Sequence, residues 1–177
     1  MDRLSSRHRG LPASSSPLAR TILVGGLIVG VLDIADALVV AAVNGTPPGR
    51  VLQSIASGVL GRAAYAGGWS SAVLGLVLHF LIAGGVSAVY VAASRLWPTL
   101  RRRPWVWGPL YGIVVFLAMY RIVLPMAGLN AWPQRWPVFA NAVFAHVFAV
   151  GLPIALWTRR ASGEAATRRR SSGRGSL

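Results

Sequence analysis

Two aspartates, Asp33 and Asp36, interrupt an apolar run from Thr21 to Val43 in the stretch GVLDIADALVV. The chain carries only four acidic residues, so half of its negative charge lies in a segment otherwise composed for a nonpolar solvent. Three further ionisable side chains, His79, Arg121 and His146, sit in similar runs. Together they could handle a proton or a cation. Carboxylates bind either one, histidine takes up and releases a proton near neutral pH, and a guanidinium holds a carboxylate bidentately while staying charged. A charge at mid-span costs roughly 2.5–3.5 kcal/mol on insertion scales. Two aspartates therefore nearly cancel the gain from the thirteen Ile, Leu and Val residues of 21–43, at roughly 0.3–0.6 kcal/mol each. Such a helix must turn both carboxylates inward. Their i, i+3 spacing puts them on one helical face, and Gly26 and Gly30 continue that stripe.

Four apolar segments must position these groups: about 21–43, 72–94, 105–126 and 137–157. Each has the roughly 20 residues that a bilayer crossing requires. The first is too long for the apolar core of a signal peptide, and its aspartates break it. At a rise of about 1.5 Å per residue, Asp33, Asp36, His79, Arg121 and His146 all fall about 8–15 Å below one surface. Arg121 is the expected counter-charge for the aspartates, and the histidines the expected relay or gate. Two readings follow. One is a proton- or ion-handling site of a channel-like or transporter-like protein, because intramembrane ionisable residues mark pathways. The other is a polar network that only holds the helices together in a structural or accessory protein.

Other chemistries have less support. His79 and His146 lie at similar depth on different spans, as two axial haem ligands would, but no other feature points to haem. Two Asp and two His could hold a metal, yet there is no His pair at i, i+4 and no HExxH. A glycine-flanked serine nucleophile is absent. No enzyme, cofactor or metal centre is expected.

The composition agrees with a membrane setting. Of the chain's 177 residues, 54% are hydrophobic and 12% charged; there is no cysteine, and all eighteen basic residues are arginine. The Ala, Gly and Arg bias suggests a bacterial source. A net charge of +14 could signal nucleic-acid binding, but the arginines lie in tails and short loops between apolar runs. Fourteen fall on one side (N-terminal tail, loop 95–104, C-terminal tail) and three, Arg50, Arg62 and Arg135, on the other. By the positive-inside rule both termini are cytoplasmic, in a bacterial inner membrane whose anionic lipids they would touch. All seven tryptophans fall near predicted span ends, where indoles prefer the headgroup zone.

Between the first two spans, TPPGRVLQSIASGVLGR (46–62) predicts a surface helix over about 47–62, opened by Thr46 and Pro47. Val51, Leu52, Ile55, Val59 and Leu60 share a face, suited to lying on the outer leaflet; a cap packed on the bundle is the alternative. Residues 1–19 and 161–177, rich in Ser, Gly and Arg, are expected to be disordered tails flanking a transmembrane domain at 20–160. A weak internal echo pairs GLIVG (26–30) with GPLYG (108–112), and HFLIAG from His79 with HVFAVG from His146, as in parallel repeats.

GLIVG, LHFLIAGGVSAVYVAASRLWP, GPLYGIVVFLAMYRIVLPMAGLNAWP and NAVFAHVFAVGLPIALWTRR together resemble the YagU-like family of small bacterial inner-membrane proteins across most of 20–160. The resemblance implies a multi-spanning helical protein and assigns no reaction, substrate or catalytic residue. The Asp33/Asp36 pair stands outside it. The expected fold is therefore all-α: a four-helix membrane bundle with an extra surface helix and basic tails. A transporter this narrow would be expected to need a second copy.

Overall fold

The structure is a computed structural model that describes residues 16–129, 132–133 and 135–174. It is all-α, with no strand among the described residues. Helix α1 (Pro17–Val43) is capped by Ser16, whose Oγ accepts from the Ala19 N–H at 3.2 Å. Then follow α2 (Pro48–Leu60), a 3-10 turn at Gly61–Ala66, and α3 (Gly68–Leu96). After the short α4 (Thr99–Arg102) come α5 (Pro104–Ala118), a π-helical turn at Met119–Val123 and α6 (Leu124–Met126). The last unit is α7 (Trp136–Ala145), a π-helical turn at His146–Gly151 and α8 (Leu152–Arg174). Four continuous helices are long and apolar enough to cross a membrane: Pro17–Val43, Gly68–Leu96, Pro104–Met126 and Trp136–Glu164.

Each π-helical turn contains the carbonyl that a following proline displaces. Pro125 and Pro153 lack an N–H, and their rings crowd the carbonyls four residues back, at Arg121 and Ala149. Widening that turn relieves the crowding without breaking the helix.

Glycines set how closely the helices approach. A Cβ on Gly26 would lie 2.8 Å from the Gly84 Cα, and one on Gly30 would lie 2.6 Å from the Phe80 ring. In the second hairpin, a Cβ on Gly112 would overlap the His146 carbonyl and the Val147 Cα, and one on Gly151 would overlap the backbone of Gly108 and Gly112. The two hairpins thus pack in one register. Gly30 faces the residue after His79, and Gly112 the residue after His146, which gives the sequence echo a spatial counterpart. The helices run antiparallel, so the chain's arginine-rich loops and C-terminal helix gather at one end. Toward that end lie Tyr90, Ile154 and Ala155 of the buried core. Trp157 Nε1 and Ser87 Oγ donate to the Thr21 and Ile22 carbonyls at that end, both at 2.9 Å.

Of the two placements expected for helix α2, the structure has the cap packed on the bundle, with Val59 and Leu60 at its end left exposed. It packs on α3, burying Gln53, Ala56 and Ser57, because Gly75 lets the Leu52 carbonyl approach α3 more closely than any Cβ would allow. Gln53 Nε2 secures it by donating to the Gly68 carbonyl at 3.0 Å. The C-terminal segment expected to be disordered is helical to Arg174. Its Glu, Ala and Arg residues are good helix formers added to an already nucleated helix, so they need no new nucleation. In the N-terminal tail, residues 17–19 belong to α1. Residues 1–15 and 175–177 lie outside the described residues.

Candidate functional site: a carboxylate-lined cavity

A cavity of about 900 Å³ lies between α1, α3, the α5–α6 helix and α7, roofed by α2. Asp33 and Asp36 enter it from α1, His79 from α3, Tyr120 from the π-helical turn after α5, Asn141 from α7 and His146 from the next π-helical turn. Ser54 faces it from α2, and Asn44 and Thr46 line it at the end of α1. The glycine-packed, arginine-rich end closes it below. Apolar side chains such as Ile34, Ile55, Ile82 and Leu124 make up much of its wall.

Local hydrogen bonds fix the polar groups. His79 is buried, 9% exposed, and its Nε2 is 2.8 Å from the Gly30 carbonyl. A carbonyl only accepts, so Nε2 carries the proton. Gly30 thus serves twice: its missing side chain admits α3, and its carbonyl orients the imidazole. His146 Nδ1 likewise donates to the Ala142 carbonyl at 2.8 Å, one turn back. Asn141 Nδ2 donates to Asp36 Oδ2 at 3.0 Å and ties α7 to α1. Both histidines lie within electrostatic reach of Asp33, and Tyr120 within reach of both carboxylates. The Phe116 ring holds this wall rigid, its centroid 4.9 Å from Tyr120 and 5.6 Å from His146.

Four of the five residues expected to form the site therefore share one cavity. Arg121, the expected counter-charge, does not join them. It is exposed and lies over the Trp132 ring, its guanidinium carbon 4.1 Å from the centroid. The reason is azimuth. Met119 and Tyr120 face the cavity, and Arg121, two residues after Met119 in the widened π-helical turn, lies roughly half a turn round on the other side of the helix. Depth was shared and direction was not. Among the described residues no arginine lines the cavity; Asp36 accepts from an amide, and both aspartates share the cavity with two imidazoles and a phenol.

Sequence reasoning passed over Asn141 and Tyr120. Asn141 was visible as a polar residue inside an apolar span five positions before His146. Tyr120, beside Arg121, gave no separate signal. His79 Nε2, one of the nitrogens a haem iron could take, is engaged with the Gly30 carbonyl. Among the described residues no three acidic or histidine side chains converge as a metal site would need.

Compared with known proteins, the chain matches no family model, and no curated protein or solved structure is significantly similar to it.

Proposed function

We propose that this chain is an integral bacterial inner-membrane protein whose four long helices span the bilayer with the arginine-rich end in the cytoplasm. We further propose that its cavity takes up protons or cations as part of a channel-like or transporter-like activity. The YagU-like resemblance belongs to the same reading. The membrane placement draws on an inverted distribution of polarity. Large apolar side chains point outward, with Leu23 66%, Val39 62%, Leu81 66% and Val89 60% exposed, while the aspartates point into the cavity. Water would make that exterior unfavourable; hydrocarbon would not.

The observation that carries the ion-handling reading is the pair of carboxylates in one cavity with, among the described residues, no arginine beside them. Glue for assembly would be expected to come as a neutralised pair. The competing structural reading draws on the Asn141–Asp36 and His79–Gly30 bonds, each of which ties two helices.

Reconstitution into liposomes under an imposed pH or cation gradient separates the two. Wild-type protein should dissipate the gradient well above the rate of empty vesicles. Folded protein that gives no flux at any pH would remove the ion-handling reading and leave the structural one.

At the other end, Arg101, Arg102, Arg159 and Ser162 line a groove of about 420 Å³, where Arg101 Nη1 donates to Ser162 Oγ at 3.4 Å. In the proposed orientation this groove meets the cytoplasmic leaflet, whose anionic headgroups favour basic side chains by about 1 kcal/mol each. An Arg101→Gln/Arg159→Gln variant is expected to retain several-fold less anionic lipid through purification, measured by mass spectrometry of co-purified lipid, with its melting temperature unchanged.

A further inference from the structure

We infer that the cavity is built for an organic cation with an apolar body, a lipophilic amine or onium ion, that enters sideways from the bilayer. The inference rests on the reading of Asp33 and Asp36 as the charged part of the site and adds the class of molecule they receive.

Size is the first argument. About 900 Å³ is at the upper end of the roughly 300–1,000 Å³ typical of sites that enclose drug-sized molecules. It far exceeds what a proton or a bare metal ion needs. The second argument is the lining. Two carboxylates lie in a wall that is mostly aliphatic and shared with Tyr120, with no arginine among the described lining residues. A hydrated inorganic ion gains nothing from such a wall. An onium group with hydrocarbon substituents would meet the carboxylates with its charge, the aliphatic wall with its body and the tyrosine face by cation–π attraction.

The third argument is access. Helices α3 and α5 form no extended backbone contact along their length. At the arginine-rich end a tyrosine pair bridges them: the Tyr90 and Tyr111 rings are 4.9 Å apart, and Tyr111 Oη donates to the Val86 carbonyl at 2.7 Å. At the other end α2 crosses between them, from α3 to Ala127, which a Cβ on Gly58 would approach to 3.2 Å. Between this lintel and the tyrosine sill, Ile82 of α3 and Val123 of the π-helical turn after α5 both line the cavity and are each 38% exposed. That side faces the lipid in the proposed orientation. A lipophilic cation concentrated in the bilayer would reach Asp33 and Asp36 without crossing the headgroups.

The test is equilibrium binding to the purified full chain in nanodiscs, with tetraphenylphosphonium as probe. Neutral triphenylphosphine oxide and small, hydrophilic tetramethylammonium serve as comparisons. Tetraphenylphosphonium should bind saturably, and each comparison compound at least tenfold more weakly. Asp33→Asn/Asp36→Asn protein with an unchanged melting temperature should lose at least tenfold in tetraphenylphosphonium affinity. Equal binding of the neutral compound, or of tetramethylammonium, would overturn the inference. So would absence of saturable phosphonium binding by wild-type protein that conducts protons in liposomes, which would leave the proton-handling reading standing. Phosphonium binding without any flux would do the reverse: it would uphold the ligand class and remove the transport reading.

Discussion

Gly112→Leu is expected to abolish folded monomer: after extraction in mild detergent, size-exclusion chromatography should show aggregate in place of the wild-type peak. Even alanine at this position should lower the melting temperature markedly. The first added carbon would overlap the His146 carbonyl and the Val147 Cα, both of them backbone, so no rotamer change relieves it. Overpacking ordinarily costs about 1–3 kcal/mol and more where backbone must shift. Here the shift would separate α5 from the π-helical turn that aims His146 into the cavity. Gly85→Ala is the matched control. A Cβ there meets nothing within 4 Å, and replacing an interior helical glycine with alanine is expected to stabilise by up to about 1 kcal/mol. The contrast between two glycines of similar helical setting distinguishes close packing from general sensitivity to glycine replacement.

The second large effect is a separation of stability from activity. Asp33→Asn/Asp36→Asn protein should melt at or above the wild-type temperature, while cation-driven flux in liposomes falls at least tenfold. Among the described residues no arginine neutralises either aspartate, so an amide of the same shape removes a burial cost without breaking an ion pair. Asn141 can still donate to the side-chain oxygen at position 36 in place of Asp36 Oδ2. Arg121→Gln should change both readouts little, since its loss removes a stacking contact with Trp132 that at an exposed site stabilises by about 0.5–1 kcal/mol. A steep drop in melting temperature for the aspartate variants, restored by a compensating change at Arg121, would instead make the carboxylates assembly contacts. That result would contradict the cavity geometry.

Much of this protein was determined by local pattern. Spans expected at about 21–43, 72–94, 105–126 and 137–157 correspond to helices Pro17–Val43, Gly68–Leu96, Pro104–Met126 and Trp136–Glu164. A run of some 20 apolar residues has few alternatives to a helix. The inward stripe of Gly26, Gly30, Asp33 and Asp36 was likewise legible, because i, i+3 and i, i+4 spacing defines a helix face before any partner is known. Even the shared register of the two hairpins was foreshadowed by HFLIAG and HVFAVG.

Only the tertiary structure decided what each face meets. Sequence placed His79, Arg121 and His146 at one depth, but depth along a helix says nothing of rotation about it, and that rotation puts Arg121 outside and Tyr120 inside. Helix α2 shows the same gap from the other direction. Its apolar stripe is real, yet whether it lies on lipid or roofs a cavity depends on Gly75, twenty-three residues after Leu52, being small enough to receive the Leu52 carbonyl. Asn141 became a partner of Asp36 through a contact 105 residues apart in the chain. Periodicity reports on neighbours within a turn. The cavity is made of contacts between helices, and no local pattern encodes those.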